Sequence, residues 1–218
     1  MARSSNFTQI AFTPAVKEAQ ERYGSRAHYA ALEQRLSAPD HLTEREIEFV
    51  RERDGFYQAT VGENGWPYVQ YRGGPRGFLK VLDEKTLGYA DFQGNLQYIS
   101  VGNIQADERV SLILMDYANR RRLKIWARAH VIDAAEVPAL IERLESPGYR
   151  ARIERAVVLT VEAFDWNCPQ HITRRYTEEE LAALYDGYTA RLAELKAEVA
   201  ALKEERDVMK RALPTHHR

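Results

Sequence analysis

Between Phe56 and Phe164 the chain alternates short runs rich in Val, Ile, Tyr and Leu with turn residues, and long helical segments between those runs are missing. That texture constrains the fold more than any other feature. The expected strands are Phe56–Val61, Tyr68–Tyr71, Phe78–Leu82, Leu87–Ala90, Val110–Asp116, Leu123–Ile132 and Ala156–Phe164. Asn64-Gly65 is the strongest hairpin signal, because both residues accept positive φ in a tight turn. Asp83-Glu84-Lys85 joins another strand pair, and short helices are expected near Leu96–Asn103 and Pro138–Leu144. Hairpin-linked strands at this spacing predict an antiparallel β-barrel with helices packed at its edges, an α+β arrangement. A parallel nucleotide-binding sheet would need strands alternating with long helices.

Residues 1–54 read as a helical lead. Thr13-Pro14 suits an N-cap followed by proline at the first helical position, opening a helix to Tyr23 that Gly24 breaks. A second helix covers Arg26–Leu36, and Ala38-Pro39-Asp40 forms a loop. Thr43 and Glu46 have capping-box spacing, with Leu42 and Ile47 placed as a hydrophobic staple. The barrel region is 55–176. A third region, 177–213, opens with a second capping-box pattern at Thr177 and Glu180. There Leu181, Tyr188, Leu195, Leu202 and Met209 recur every seven residues as d positions, while Tyr185, Leu192, Val199, Arg206 and Leu213 fall at a. Glu198 and Glu205 occupy g; Lys196, Lys203 and Lys210 occupy e. Two readings stand: a dimer-forming parallel coiled coil, or a long amphipathic helix lying on its own barrel. The tail from Pro214 to Arg218 is expected to be disordered.

Composition narrows function mainly by exclusion. Of 218 residues, 44 % are hydrophobic, enough for a core, and Lys+Arg number 31 against Asp+Glu 32. A net charge of −1 removes the simplest argument for nucleic-acid binding, and no nucleic acid is expected as a partner. The basic run Arg120-Arg121-Arg122 reads as a solvated turn, with Arg122 free to face a ligand. One cysteine, Cys168, excludes an internal disulfide framework and a Cys-rich zinc module. His28, His41, His130 and His171 show no ligand spacing, so no metal is expected. The apolar runs around Val110–Met115 and Ala156–Val161 fall far short of the ~20 residues of a membrane helix. With no apolar core in MARSSNFTQI, a cytoplasmic protein with no membrane partner is expected.

The block from Trp66 to Asn103 holds the candidate chemistry. Arg72-Gly73-Gly74-Pro75-Arg76-Gly77 puts three glycines and two arginines at a strand entrance. Glycines there let a planar ligand or a phosphate approach backbone N–H groups, and arginines supply charge. A plain Gly-Pro turn is the competing reading. Phe92-Gln93-Gly94-Asn95 follows a strand, where its amides suit ligand carbonyls or the cap of a helix. Cys168 and His171, three apart after the last strand, suit a nucleophile or, more simply, packing and a backbone hydrogen bond.

The succession of strand, DEK turn, strand and short helix, then ADERVSLILMD and RRRLKIWARA, resembles the flavin-binding split barrels related to pyridoxamine 5′-phosphate oxidase. The resemblance covers about Arg51 to Phe164 and is closest to a flavin-binding subgroup carrying GWPYVQ-RGGP-GF, GN-QYIS-GN and DWNCPQHI. It implies FMN as cofactor, a homodimer, and a small-molecule electron donor or substrate. Lys80 matches the oxidase's FMN-strand lysine; the arginine opening that strand falls at Pro75, leaving Arg76 or Arg72 to substitute. Ala90 and Asp91 take the positions of two cofactor-contacting residues, and the phosphate-gripping Arg-Lys pair falls at Leu96 and Gln97. Arg122 replaces a ring-contacting glutamine, and Tyr71 stands where many subgroup members carry histidine. The oxidase's C-terminal substrate segment has no match, which removes pyridoxamine phosphate oxidation.

By this resemblance, amides near Gly74, Gly77 and Phe78 contact the flavin ring, Lys80, Asn95 and Gln97 hold the ribityl-phosphate, and Arg122 sits near the ring. The expected function is an FMN-dependent oxidoreductase. The alternatives are a flavin or haem carrier or sensor without dedicated turnover, and a flavin-free interaction module.

Overall fold

Alternation sorts strand β1 (Gly55–Val61) into two faces: Phe56, Gln58 and Thr60 are buried, while Tyr57 and Val61 are exposed. A computed structural model describes residues 5–35, 41–166 and 169–212. The end of the second helix at Leu36, the 38–40 loop, Cys168, Leu213 and the tail from Pro214 lie outside the described residues.

The remaining strands are β2 (Pro67–Gly73), β3 (Lys80–Val81), β4 (Thr86–Phe92), β5 (Arg109–Asp116), β6 (Arg121–Asp133) and β7 (Ile153–Trp166). They form one antiparallel seven-stranded sheet in the order β2-β1-β5-β6-β7-β4-β3, the antiparallel arrangement that the hairpin texture predicts, in the split-barrel form that the family resemblance implies. Its inner face holds Phe56, Leu87, Leu112, Leu114, Leu123, Ile125 and Leu159, all essentially inaccessible. Burial of such side chains stabilises a fold by ~1.5–3 kcal/mol each. The two longest strands, β6 and β7, bend past one another at a register shift between Trp126 and Ala127, as closing a sheet requires.

The helices are α1 (Ser5–Ala11), α2 (Pro14–Arg22), α3 (Arg26–Arg35), α4 (Glu44–Arg51), α5 (Ile99–Ala106), α6 (Pro138–Leu144) and α7 (Glu178–Ala212). Thr13 caps α2 by accepting the Val16 N–H at 3.4 Å. At α4, buried Glu46 accepts from the Thr43 N–H at 3.1 Å and from the Thr43 hydroxyl. Its other carboxylate oxygen accepts the Trp166 indole N–H, so a local cap also anchors the end of β7. Phe49 and Val50 from α4 enter the barrel core, Phe49 meeting Trp166 edge-on with 4.7 Å between ring centroids. The chain divides into two compact units, 1–173 and 174–218, and the N-terminal helices fall within the first.

Four local features differ from expectation. Helix α1 was not anticipated; it forms where Phe7 stacks on Trp126 at 5.1 Å, a contact between distant residues. The Asn64-Gly65 connection is a five-residue loop, since Val61 pairs with Pro67. Only Gly65 takes positive φ (+80°), and Asn64 instead accepts the Trp66 N–H on its side-chain oxygen. β3 shrinks to two residues because Phe78 N–H bonds back to Pro75 in a turn. Helix α5 starts at Ile99 rather than Leu96, because Asn95 accepts the Gln97 N–H and both Leu96 and Tyr98 are left-handed.

Candidate functional site

The sheet's two ends, β2 and the second half of β4, approach without a backbone ladder, since β3 pairs only with Leu87 and Gly88. Side chains bridge the split instead. On the inner face, opposite residues of β1 and β2 share a side, so Tyr68, Gln70 and Arg72 point inward with Thr60, Gln58 and Phe56. Arg72 Nη1 donates to Asp91 Oδ1 at 2.5 Å, and Arg155 Nε, from β7, donates to Asp91 Oδ2 at 2.9 Å. Asp91 is 2 % exposed. Behind this cluster the Tyr89 hydroxyl donates to Gln58 Oε1 at 2.9 Å. Burial drives the Tyr89 hydroxyl up to about 12, against the opposing pull of the Arg72 charge. Helix α5 is tied across the same split, with Ser100 donating to Gln70 at 2.9 Å and Asn103 to Thr60 at 3.0 Å.

In front of the cluster lies a cleft of about 200 Å³. It is lined by Arg72, Asp91 and Arg155 and by the loop residues 94–98. Leu96 (φ 63°) and Tyr98 (φ 52°) are both left-handed, a conformation costing an ordinary side chain roughly 1–2 kcal/mol, and both are exposed. A Cβ added at Gly94 would meet open space. The Arg72 Nε is buried without a hydrogen-bond partner. Arg155 also bonds Glu154 at 2.7 Å and stacks over Tyr98 at 4.9 Å. Two guanidinium groups therefore face two carboxylates, and the cleft offers directed N–H donors more than net positive charge.

Four of the residues expected to hold the cofactor meet here, Arg72, Asp91, Asn95 and Gln97, with Phe92, Gly94 and Leu96 beside them. The others stand elsewhere. Gly74 N–H donates to Asp54, Gly77 N–H to Arg53 and Phe78 N–H to Pro75, so these three amides are engaged by the backbone and are not open to a ring. Gly74 is small because a Cβ there would come within 2.7 Å of Phe78, which is itself core, stacked on Phe56 at 5.6 Å. The glycine-rich entrance is thus packed against its neighbours and lies outside this cleft. Arg76 is exposed on that connection and does not line the cleft.

Ala90 neighbours Asp91 in sequence, yet strand alternation turns it to the opposite face, packed with Leu144 and Ala156. Lys80 pairs with Gly88 and shares that face. Arg122 lies opposite Met115 on the outer face of β6, with its Nε buried and unpartnered. His171 is exposed. Arg155 was missed by the sequence reading. The available signal was a charged residue at an inward register position of β7, in phase with Val157 and Leu159.

An antiparallel split barrel with a polar cleft at its unladdered edge defines the class of protein. The pattern of the Pyridoxamine 5′-phosphate oxidase family matches residues 42–166, more than half the chain, and the chain belongs to that family. Among solved structures it is similar to HupZ of Group A Streptococcus, at 14 % identity over 62 % of this chain and 99 % of that one, TM-score 0.45. It is also similar to a Clostridium acetobutylicum protein related to general stress protein 26 of B. subtilis, of the pyridoxinephosphate oxidase family, at 17 % identity over 61 % and 92 % of the two chains, TM-score 0.42. No curated protein matches the chain. Among the described residues, no helix is long and apolar enough to cross a membrane, and no cluster of His, Cys, Asp and Glu could hold a metal.

Proposed function

We propose that the protein is an FMN-binding flavoprotein acting as an oxidoreductase on a small molecule. The observation that carries this reading is the cleft itself, which brings the Arg72 and Arg155 guanidiniums together with the Asn95 and Gln97 amides. The donor set fits a ribityl-phosphate. Arg72 and Arg155 would take phosphate oxygens, and the Asn95 and Gln97 amides would bond the ribityl hydroxyls. At about 200 Å³ the cleft is smaller than the roughly 300–1,000 Å³ of a complete small-molecule pocket, so the ring would extend beyond it toward a second subunit. Bound FMN supplies a two-electron acceptor; the protein's part is to hold and orient it.

Titration of the purified protein with FMN and with riboflavin, followed by flavin fluorescence and thermal shift, tests the reading. Binding of one FMN per chain is expected, with reduction by NADH or NADPH under anaerobic conditions. A bound flavin that neither reductant reduces favours the carrier reading. A protein that binds neither flavin at hundredfold excess, where about 2.7 kcal/mol of added stability is due, refutes flavin binding.

A further inference from the structure

Helix α7 is 35 residues long, about 50 Å at 1.5 Å per residue, and its apolar side chains are exposed along its length. Leu192 is 51 % exposed, Leu195 40 %, Val199 48 % and Leu202 57 %. An isolated helix gains nothing from such a stripe, and a solvent-facing helix does not keep one at heptad spacing. The cap at its start is real: Thr177 N–H donates to Glu180 at 2.8 Å and Glu180 N–H to the Thr177 hydroxyl at 3.2 Å.

We propose that α7 binds α7 of a second copy of this chain, in parallel and in register, as a two-stranded coiled coil. Charge complementarity names the occupant. In the parallel register each g residue meets the e residue five positions on in the partner, so Glu198 meets Lys203 and Glu205 meets Lys210. Antiparallel pairing would set Glu against Glu and lysine against lysine. One pair opposes the parallel register: Arg191 at g meets Lys196 at e. Arg191 is already bonded along its own helix to Glu194 at 2.8 Å, which neutralises part of that repulsion. Arg206, the polar residue at an a position, bonds Asp207 through Nε at 2.9 Å. A single polar a residue weakens a coil and fixes its register. The seam then runs through Leu192 and Val199 at a and Leu195 and Leu202 at d, and the Val199 layer has the β-branched a residue beside Leu at d that two-stranded coils prefer.

The test uses the full chain with Cys168→Ser and Leu202→Cys. A d residue lies beside its own counterpart only in a parallel, in-register pair. Mild oxidation should therefore give a disulfide-linked dimer on a non-reducing gel, at micromolar protein. Adding Glu198→Lys and Glu205→Lys should slow that cross-linking at least tenfold, and further adding Lys203→Glu and Lys210→Glu should restore it. Absence of the cross-link, or cross-linking indifferent to both charge changes, overturns the proposal. Circular dichroism of each variant confirms that the helix persists.

Discussion

Arg72 Nη1 and Asp91 Oδ1, 2.5 Å apart, join β2 to β4 across the edge of the sheet that no backbone ladder closes. Arg155 braces the same carboxylate from β7. Fold closure and the candidate ligand cleft therefore share one set of side chains, and each constrains the other.

Replacing Arg72 by Ala removes that bridge while leaving Asp91 bonded to Arg155. Hydrogen bonds to charged groups contribute roughly 1.5–3 kcal/mol, and a loss of that order is expected in denaturant unfolding. Arg72→Lys should recover little of it, because an ammonium does not reproduce the guanidinium's fixed donor geometry. A loss below about 0.5 kcal/mol, the scale of an exposed ion pair, would mean that the bridge does not hold the barrel shut.

Tyr89 gives the barrel an alkaline limit. Its folded value is raised to about 12 by burial, above the unfolded value near 10. A group whose folded value is raised contributes stability that is whole below the unfolded value. That contribution declines as pH climbs from about 10 toward 12, by on the order of 2 kcal/mol in all. Tyr89→Phe should flatten this part of the stability profile and cost about 1 kcal/mol at pH 7 through the lost bond to Gln58. An unchanged alkaline slope in the variant would assign the loss to other groups.

Two glycines, Gly77 in the β2–β3 connection and Gly94 lining the cleft, should respond differently. Gly77 has φ +75°, and a Cβ there would lie 3.0 Å from the Arg51 carbonyl oxygen. Gly77→Ala should cost about 1–2 kcal/mol or more. Gly94 has open space and no positive φ, so Gly94→Ala should stay within about 0.5 kcal/mol. Equal effects on melting temperature would contradict the assignment of Gly77 to structure rather than to ligand approach.

Flavin affinity separates the arginines. Removing one of the two cleft guanidiniums leaves Asp91 and Glu154 in excess, so Arg155→Gln should weaken FMN by about tenfold to a hundredfold, from 1.5–3 kcal/mol of charge-assisted bonding. Riboflavin, lacking the phosphate, should change little. Arg76→Ala should leave both ligands unaffected, because Arg76 stands outside the cleft. Leu96→Arg should tighten FMN selectively. If Arg76→Ala weakens FMN and Arg155→Gln does not, the phosphate lies at the β2–β3 connection instead.

All seven strands were legible in the sequence because runs of Val, Ile, Tyr and Leu bounded by turn residues are local signals, and so were the Thr13, Thr43 and Thr177 caps. The family, too, could be read from co-linear motifs. The site itself was legible only in part. Neighbours in sequence, such as Ala90 and Asp91, part to opposite faces of β4, while Arg72, Asp91 and Arg155 meet from three strands. The glycine-rich stretch looked open to a ligand, yet its amides were already matched to carbonyls of the α4–β1 connection and its own turn. Sequence specified where strands and turns fall along the chain. Register and the curl of the sheet, set by packing between residues far apart in the chain, decided which residues face inward and which of them share a cleft.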